Sequence, residues 1–150
     1  MKLFIVSHML VMLLLLLTTT ACAPPLETAT VIEVIDGDTI VIDSGEYVRY
    51  IGIDAPEVRP RNEAYGFESM QLNRELVEGK EVTLEKDKSD KDENGRLLRY
   101  VYAGNLFVNG EIVRRGLAEA VAYPPNLENQ KALEGLEAVA RESRRGMWGE

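Results

Sequence analysis

Residues 31–43 read VIEVIDGDTIVID, two runs of β-branched residues around Asp36-Gly37-Asp38. Asp and Gly tolerate the positive φ angles of a tight turn, so the stretch predicts a β-hairpin. A turn needs only one such acid. Asp36 is read as turn chemistry, and Asp38 is left over as a second carboxylate at a strand end.

Outward from this hairpin, residues 30–36, 39–43 and 46–54 predict three antiparallel strands, and Ala55-Pro56 stops the third because proline cannot donate to a ladder. Strand alternation sets Arg49, Ile51 and Ile53 on one face and Tyr50, Gly52 and Asp54 on the other. Residues 58–62 form a basic loop with Arg59 and Arg61. Residues 63–78 predict a helix whose apolar side carries Phe67, Met70 and Val77. Two more strands, 81–86 and 97–103, flank DKSDKDENGR, read as a solvated hairpin tip turning at Asn94-Gly95 and only loosely like an EF-hand loop. Asn109 is expected to cap a short helix closed by Gly116, and residues 127–145 predict a last helix. The order βββ-α-ββ-α-α predicts a β-rich α+β fold, a five-stranded OB-fold barrel with three helices. Tyr65, Phe67, Tyr100, Tyr102 and Trp148 are assigned to its core.

The 150 residues provide one domain, placed at residues 30–150. Residues 1–22 have the layout of a signal peptide: Lys2, an apolar run from Met9 to Leu17, then Thr19-Thr20-Ala21-Cys22. That ending resembles a bacterial lipobox, in which Cys22 is lipidated and becomes the first mature residue; the alternative is cleavage after Ala23. Residues 23–29, APPLETA, suit a tether. Both routes place the domain outside the cytoplasm, in the cell envelope or beyond. Cys22 is the only cysteine, which excludes an intramolecular disulfide. All acidic residues follow Cys22, so the chain beyond it carries −9, one unit below the −8 of the whole. Such a body repels polyanions at long range, and any nucleic-acid site must hold its positive charge locally.

The single histidine, His8, lies in the leader, and no HExxH, CxxC, P-loop or GxSxG occurs. Zinc, thiol and serine–histidine chemistries are thereby disfavoured. Carboxylates and arginines remain. RYIGIDAPE, residues 49–57, brings Arg49, Asp54 and Glu57 to a strand exit. Two aspartates and a backbone carbonyl make an incomplete cage for a hard divalent cation, open to water and a phosphate oxygen. Attack on a phosphodiester needs positive charge and a base; Arg49 and Arg96 suit the first role and Glu57 the second. Singly, the aspartates are better explained as turn acids and the arginines as surface or ion-pair residues; it is their occurrence together that points to one site.

IDGDTIVI, RYIGIDAPE, YGFES, DENGRLLRYVY, VNGEIVRRGLA and GMWGE, in this order, resemble the staphylococcal nuclease (thermonuclease) family over residues 30–150. The resemblance implies Ca2+-dependent endonuclease action, hydrolysing DNA and RNA to a 5′-hydroxyl and a 3′-phosphate. It implies Asp38 and Asp54 as calcium ligands with the backbone carbonyl of Ala55, Glu57 as the general base, and Arg49 and Arg96 as the phosphate clamp. Tyr123, aligned across a one-residue gap, corresponds to an aromatic that contacts the nucleotide. A lysine and a tyrosine that bind substrate phosphate in the family are here Glu93 and Asn94, and a threonine is Ala55.

The expectation is therefore an exported, monomeric hydrolase with a nucleic-acid substrate, no obligate protein partner, and membrane attachment through Cys22. Two other readings are a non-catalytic module that uses the barrel to bind an oligonucleotide or protein ligand, and an envelope protein with a structural role.

Overall fold

The computed structural model describes residues 26–149. The leader, Cys22 and residues 23–25 of the expected tether lie outside the described residues. The first strand already begins at Glu27, where Glu27 pairs with Leu84, so the ordered barrel starts ahead of Thr30.

Among the described residues there are eight strands: β1 (Glu27–Val34), β2 (Thr39–Ile42), β3 (Tyr47–Tyr50), β4 (Ile53–Asp54), β5 (Glu81–Glu85), β6 (Leu97–Ala103), β7 (Leu106–Phe107) and β8 (Glu119–Ala120). The helices are α1 (Gly66–Val77), α2 (Val108–Arg114) and α3 (Gln130–Glu142), followed by a 3-10 turn at Gly146–Trp148. The sheet runs β3-β2-β1-β5-β6, and β6 pairs in parallel with β3 to close it. The result is the expected five-stranded barrel with three helices. Closure removes the sheet edges, and the interior fills with Val31, Val34, Ile40, Val48, Val82, Leu84 and Val101. A register shift between Val31 and Glu33 lets both Val31 and Val34 face inward, which strict alternation would forbid.

The expected third strand is interrupted. Gly52 has φ +78°, and a β-carbon there would come 2.5 Å from Leu133 Cδ1, so the chain turns where only glycine fits. After the turn, Ile53 and Asp54 pair with Ala120 and Glu119 of β8 instead of continuing beside β2.

Asn109 is not a cap but an interior residue of α2. Its side chain accepts the Val101 N–H at 2.9 Å and donates to the Ile51 carbonyl at 2.9 Å, fastening the helix to β6 and to the Gly52 turn. The core face of α1 is also more polar than its pattern suggests: Ser69, Asn73 and Val77 are buried, whereas Phe67 is 61% exposed. Asn73 accepts from the Tyr50 hydroxyl at 2.9 Å and donates to the Asp36 carbonyl at 3.0 Å, so α1 grips the Asp36-Gly37-Asp38 turn. Tyr100 is in the core; Trp148 is half-buried, with the Arg141 guanidinium 3.4 Å over its ring. Among the described residues no helix is long and apolar enough to cross a membrane.

Candidate active site

The site begins at the opening hairpin. The Asp36 carboxylate accepts the Asp38 N–H at 3.0 Å, an Asx turn that fixes the backbone between them. Asp38 is buried with its carboxylate fully engaged: Oδ1 accepts from the Thr39 hydroxyl at 3.1 Å and Oδ2 from the Ala55 N–H at 2.6 Å. The β2–β3 register sets Arg49 opposite Thr39, beside Asp38, and the two form an ion pair. The other arm of the Arg49 guanidinium donates to Asp54 Oδ1 at 2.7 Å. The acid that alternation would send to the opposite face thus meets Arg49, because the Gly52 turn re-aims the chain.

Burial pushes the Asp36 carboxyl above its usual range, opposed by Arg49 and by hydrogen bonds from Thr39. The hydrogen bond that its carboxylate accepts from the Asp38 N–H is the turn role read for Asp36 from the sequence.

Arg49 also lines a cleft of about 510 Å³, with Arg96, Lys91, Ser89, Tyr123 and Asn126. Arg96 is held there by Asp92, whose Oδ2 accepts from Nε at 2.6 Å while Oδ1 accepts the backbone N–H groups of Asn94 and Arg96 at 2.9 Å. Partial burial raises the Asp92 carboxyl, but these hydrogen bonds and the Arg96 charge outweigh it and hold the group below its usual range. Asn126, buried, accepts the Ser89 N–H at 2.7 Å and joins the two walls of the cleft. The segment read as a solvated hairpin tip is thus one wall, and Asp92, Lys91 and Asn126 were not foreseen. The DxNGR spacing of Asp92, Asn94, Gly95 and Arg96 was the available signal, since an Asx turn orients the arginine that follows it. Glu93 faces the cleft too, placing an anion among its cations.

Tyr123 is half-exposed on the opposite wall. Glu57 lies outside the cleft lining, exposed on the turn beyond Asp54; Glu63 anchors its backbone by accepting its N–H at 2.9 Å and donating to its carbonyl at 2.9 Å. The structure thus joins Asp38, Arg49, Asp54 and the Ala55 backbone directly, sets Arg96 and Tyr123 across the cleft, and leaves Glu57 at the margin.

Among the described residues no three Asp, Glu, His or Cys side chains form a ready-made metal cage. Asp38 and Asp54 nevertheless converge on one positive charge, that of Arg49, and oxygen donors so placed suit a hard divalent cation that keeps water among its ligands.

Fold and site together define an OB-type barrel with an arginine-bearing cleft at its rim. A family profile described as staphylococcal nuclease homologue matches residues 47–150. A thermonuclease of Staphylococcus hyicus is 37% identical over 128 residues, spanning 81% of this chain and 76% of the relative. Endonuclease YncB of Bacillus subtilis is 37% identical over 131 residues, 82% of this chain and 62% of the relative. The SPbeta prophage-derived endonuclease YokF of the same organism is 34% identical over 131 residues, 82% and 44% respectively. The chain belongs to the staphylococcal nuclease family.

Proposed function

We propose that the protein is an exported, calcium-dependent phosphodiesterase that hydrolyses DNA or RNA to products with a 3′-phosphate. The observation that carries this reading is the Arg49 guanidinium shared by Asp38 and Asp54 at the edge of a cleft that also contains Arg96. A guanidinium so held is ready to exchange a carboxylate for a phosphate, since both accept two parallel N–H bonds.

Asp38, Asp54 and the Ala55 carbonyl would hold calcium, which when bound supplies positive charge beside the phosphate. Arg49 and Arg96 bind the non-bridging oxygens and offset the charge that develops on them. Glu57, exposed and without an ion pair among the described residues, accepts a hydrogen bond from the attacking water and takes its proton. The water oxygen bonds to phosphorus, the bond to the 5′ oxygen breaks with its electron pair, and that oxygen takes a proton from solvent water to give the 5′-hydroxyl.

Purified protein incubated with single-stranded DNA and calcium should cleave it, and chelator should stop cleavage. Glu57→Gln and Arg49→Ala should each lower kcat by roughly 100-fold or more. Cleavage unchanged by chelator, or full activity in either variant, defeats the reading; binding without cleavage would favour the non-catalytic module. Export and lipidation of Cys22 belong to the same proposal and are read by the mass of the mature N-terminus, while sedimentation tests the monomer.

A further inference from the structure

A second groove, about 500 Å³, has no lining residue in common with the first; among its walls are Ile35, Asp36, Arg59, Phe67, Met70 and Arg74. The two are linked through the reactive cluster. Asp36 lines one, its carboxylate accepts the Asp38 N–H, and Asp38 pairs with Arg49, which lines the other. Val58 and Arg59, the residues immediately after Glu57, also line the second groove.

Its surface is unusual for a helix start. Phe67, in the first turn of α1, is 61% exposed, and Ile35 is 37% exposed beside it in the groove. An isolated exposed apolar residue needs no explanation, but an aromatic ring, an isoleucine and a methionine lining one concavity give it an apolar wall. Arg59 makes no ion pair among the described residues, whereas Arg74 is paired with Glu78 at 3.2 Å. Glu33 adds an exposed carboxylate. A bare phosphate would find this mixture poor. A nucleoside would not: its base has an apolar face to stack, its edge carries N–H donors for a carboxylate, and its phosphate suits a free guanidinium.

A phosphodiester carries a nucleoside on each side of phosphorus, and one cleft accommodates one of them. Building on the nuclease reading, we infer that the Phe67 groove is the subsite for the second nucleoside, with Phe67 stacking its unpaired base and Arg59 holding the phosphate beyond. The volume suits a single nucleoside. The site therefore takes an opened strand, with the bases on the two sides of the scissile bond sent to different grooves.

Three dinucleoside monophosphates test this: one with both bases, and two lacking either the 5′ or the 3′ base. Phe67→Ala should lower kcat/KM on the complete dinucleotide by roughly 5- to 150-fold. The loss should disappear for only one of the two abasic substrates, and Phe67→Trp should restore activity. A loss equal on all three substrates, or below twofold on the complete one, overturns the inference. If the wild-type protein cleaves none of them, single-stranded DNA with calcium decides the nuclease reading, and affinity for the intact dinucleotide in chelator reads the groove alone. Weaker binding by Phe67→Ala then sustains it, and unchanged binding overturns it.

Discussion

Gly37 shows how little room the site leaves at the level of one residue. A β-carbon at this position would overlap the Ser69 hydroxyl and lie 2.6 Å from the Ala55 β-carbon. The turn thus packs against α1 on one side and against the backbone that donates to Asp38 on the other. The Ser69 hydroxyl is itself buried without a hydrogen-bond partner among the described residues, so it costs desolvation and returns no bond. Gly37→Ala should destabilise by about 1–3 kcal/mol through overpacking, and lower activity further than the stability loss explains, because Asp36 and Asp38 move with the turn. Ser69→Ala alone should be neutral or slightly stabilising. In the Ser69→Ala background the cost of Gly37→Ala should shrink without vanishing, since the Ala55 contact remains. Urea denaturation of the four proteins gives the coupling; strict additivity would mean that the turn does not rest on Ser69.

At the scale of elements, what could be read from the sequence was what local chemistry determines. The β-branched runs place β1, β2, β5 and β6 where they are found, and Asn94-Gly95 turns as read, with Gly95 at φ +78°. Asp36-Gly37 joins β1 to β2 without the expected positive φ, the turn being held by the Asp36 carboxylate on the Asp38 N–H and by close packing of Gly37 on Ser69 and Ala55. The break at Gly52 was invisible: RYIGID alternates as a strand should, and the Leu133 side chain that forbids a β-carbon is remote in sequence. Asn109 misled for the same reason, since a cap and a buried fastener are the same residue, and only the positions of Val101 and Ile51 distinguish them. Phe67 fits the apolar stripe of α1 but lies off the face that the turn selects. The aspartates and Arg49 were legible as a set; that Arg49 bridges them depends on β2–β3 register and the broken strand together.

Glu111 of α2 offers an electrostatic test at this scale. Hydrogen bonds from Arg114 at 2.7 and 2.8 Å, assisted by Arg115 at 2.8 Å and resisted by burial, hold its carboxyl below its usual range. A depressed folded-state value means that the stabilisation is fully present above the unfolded value, near 4.5, and lost as pH falls through the lower folded value. Glu111→Gln should therefore lower the melting temperature at neutral pH, and the difference from wild type should close in acid. A difference constant from neutral to acid pH would assign the loss to packing.

For the whole molecule, charge is the deciding quantity. A net charge of −8 repels a nucleic acid at distances where individual groups are not resolved, while Arg49, Lys91 and Arg96 attract it within the cleft. Two of these three are committed to carboxylates that hold their shape, and Lys91 is paired with Glu46 at 3.2 Å. Glu93 adds repulsion on the cleft wall. Strand binding should therefore depend only weakly on salt, since long-range repulsion and short-range attraction are screened together. Glu93→Lys replaces one repulsive contact by an attractive one, and each phosphate neutralised on a single strand steepens the plot of log affinity against log salt by about 0.7. The variant should bind single-stranded DNA several-fold more tightly at low salt, show the steeper slope, and converge on wild type at high salt. Titration of a short oligonucleotide in chelator separates this from turnover. Parallel lines for the two proteins would mean that residue 93 does not reach the strand, and that the strand's path through the cleft stays nearer Arg49 than Arg96.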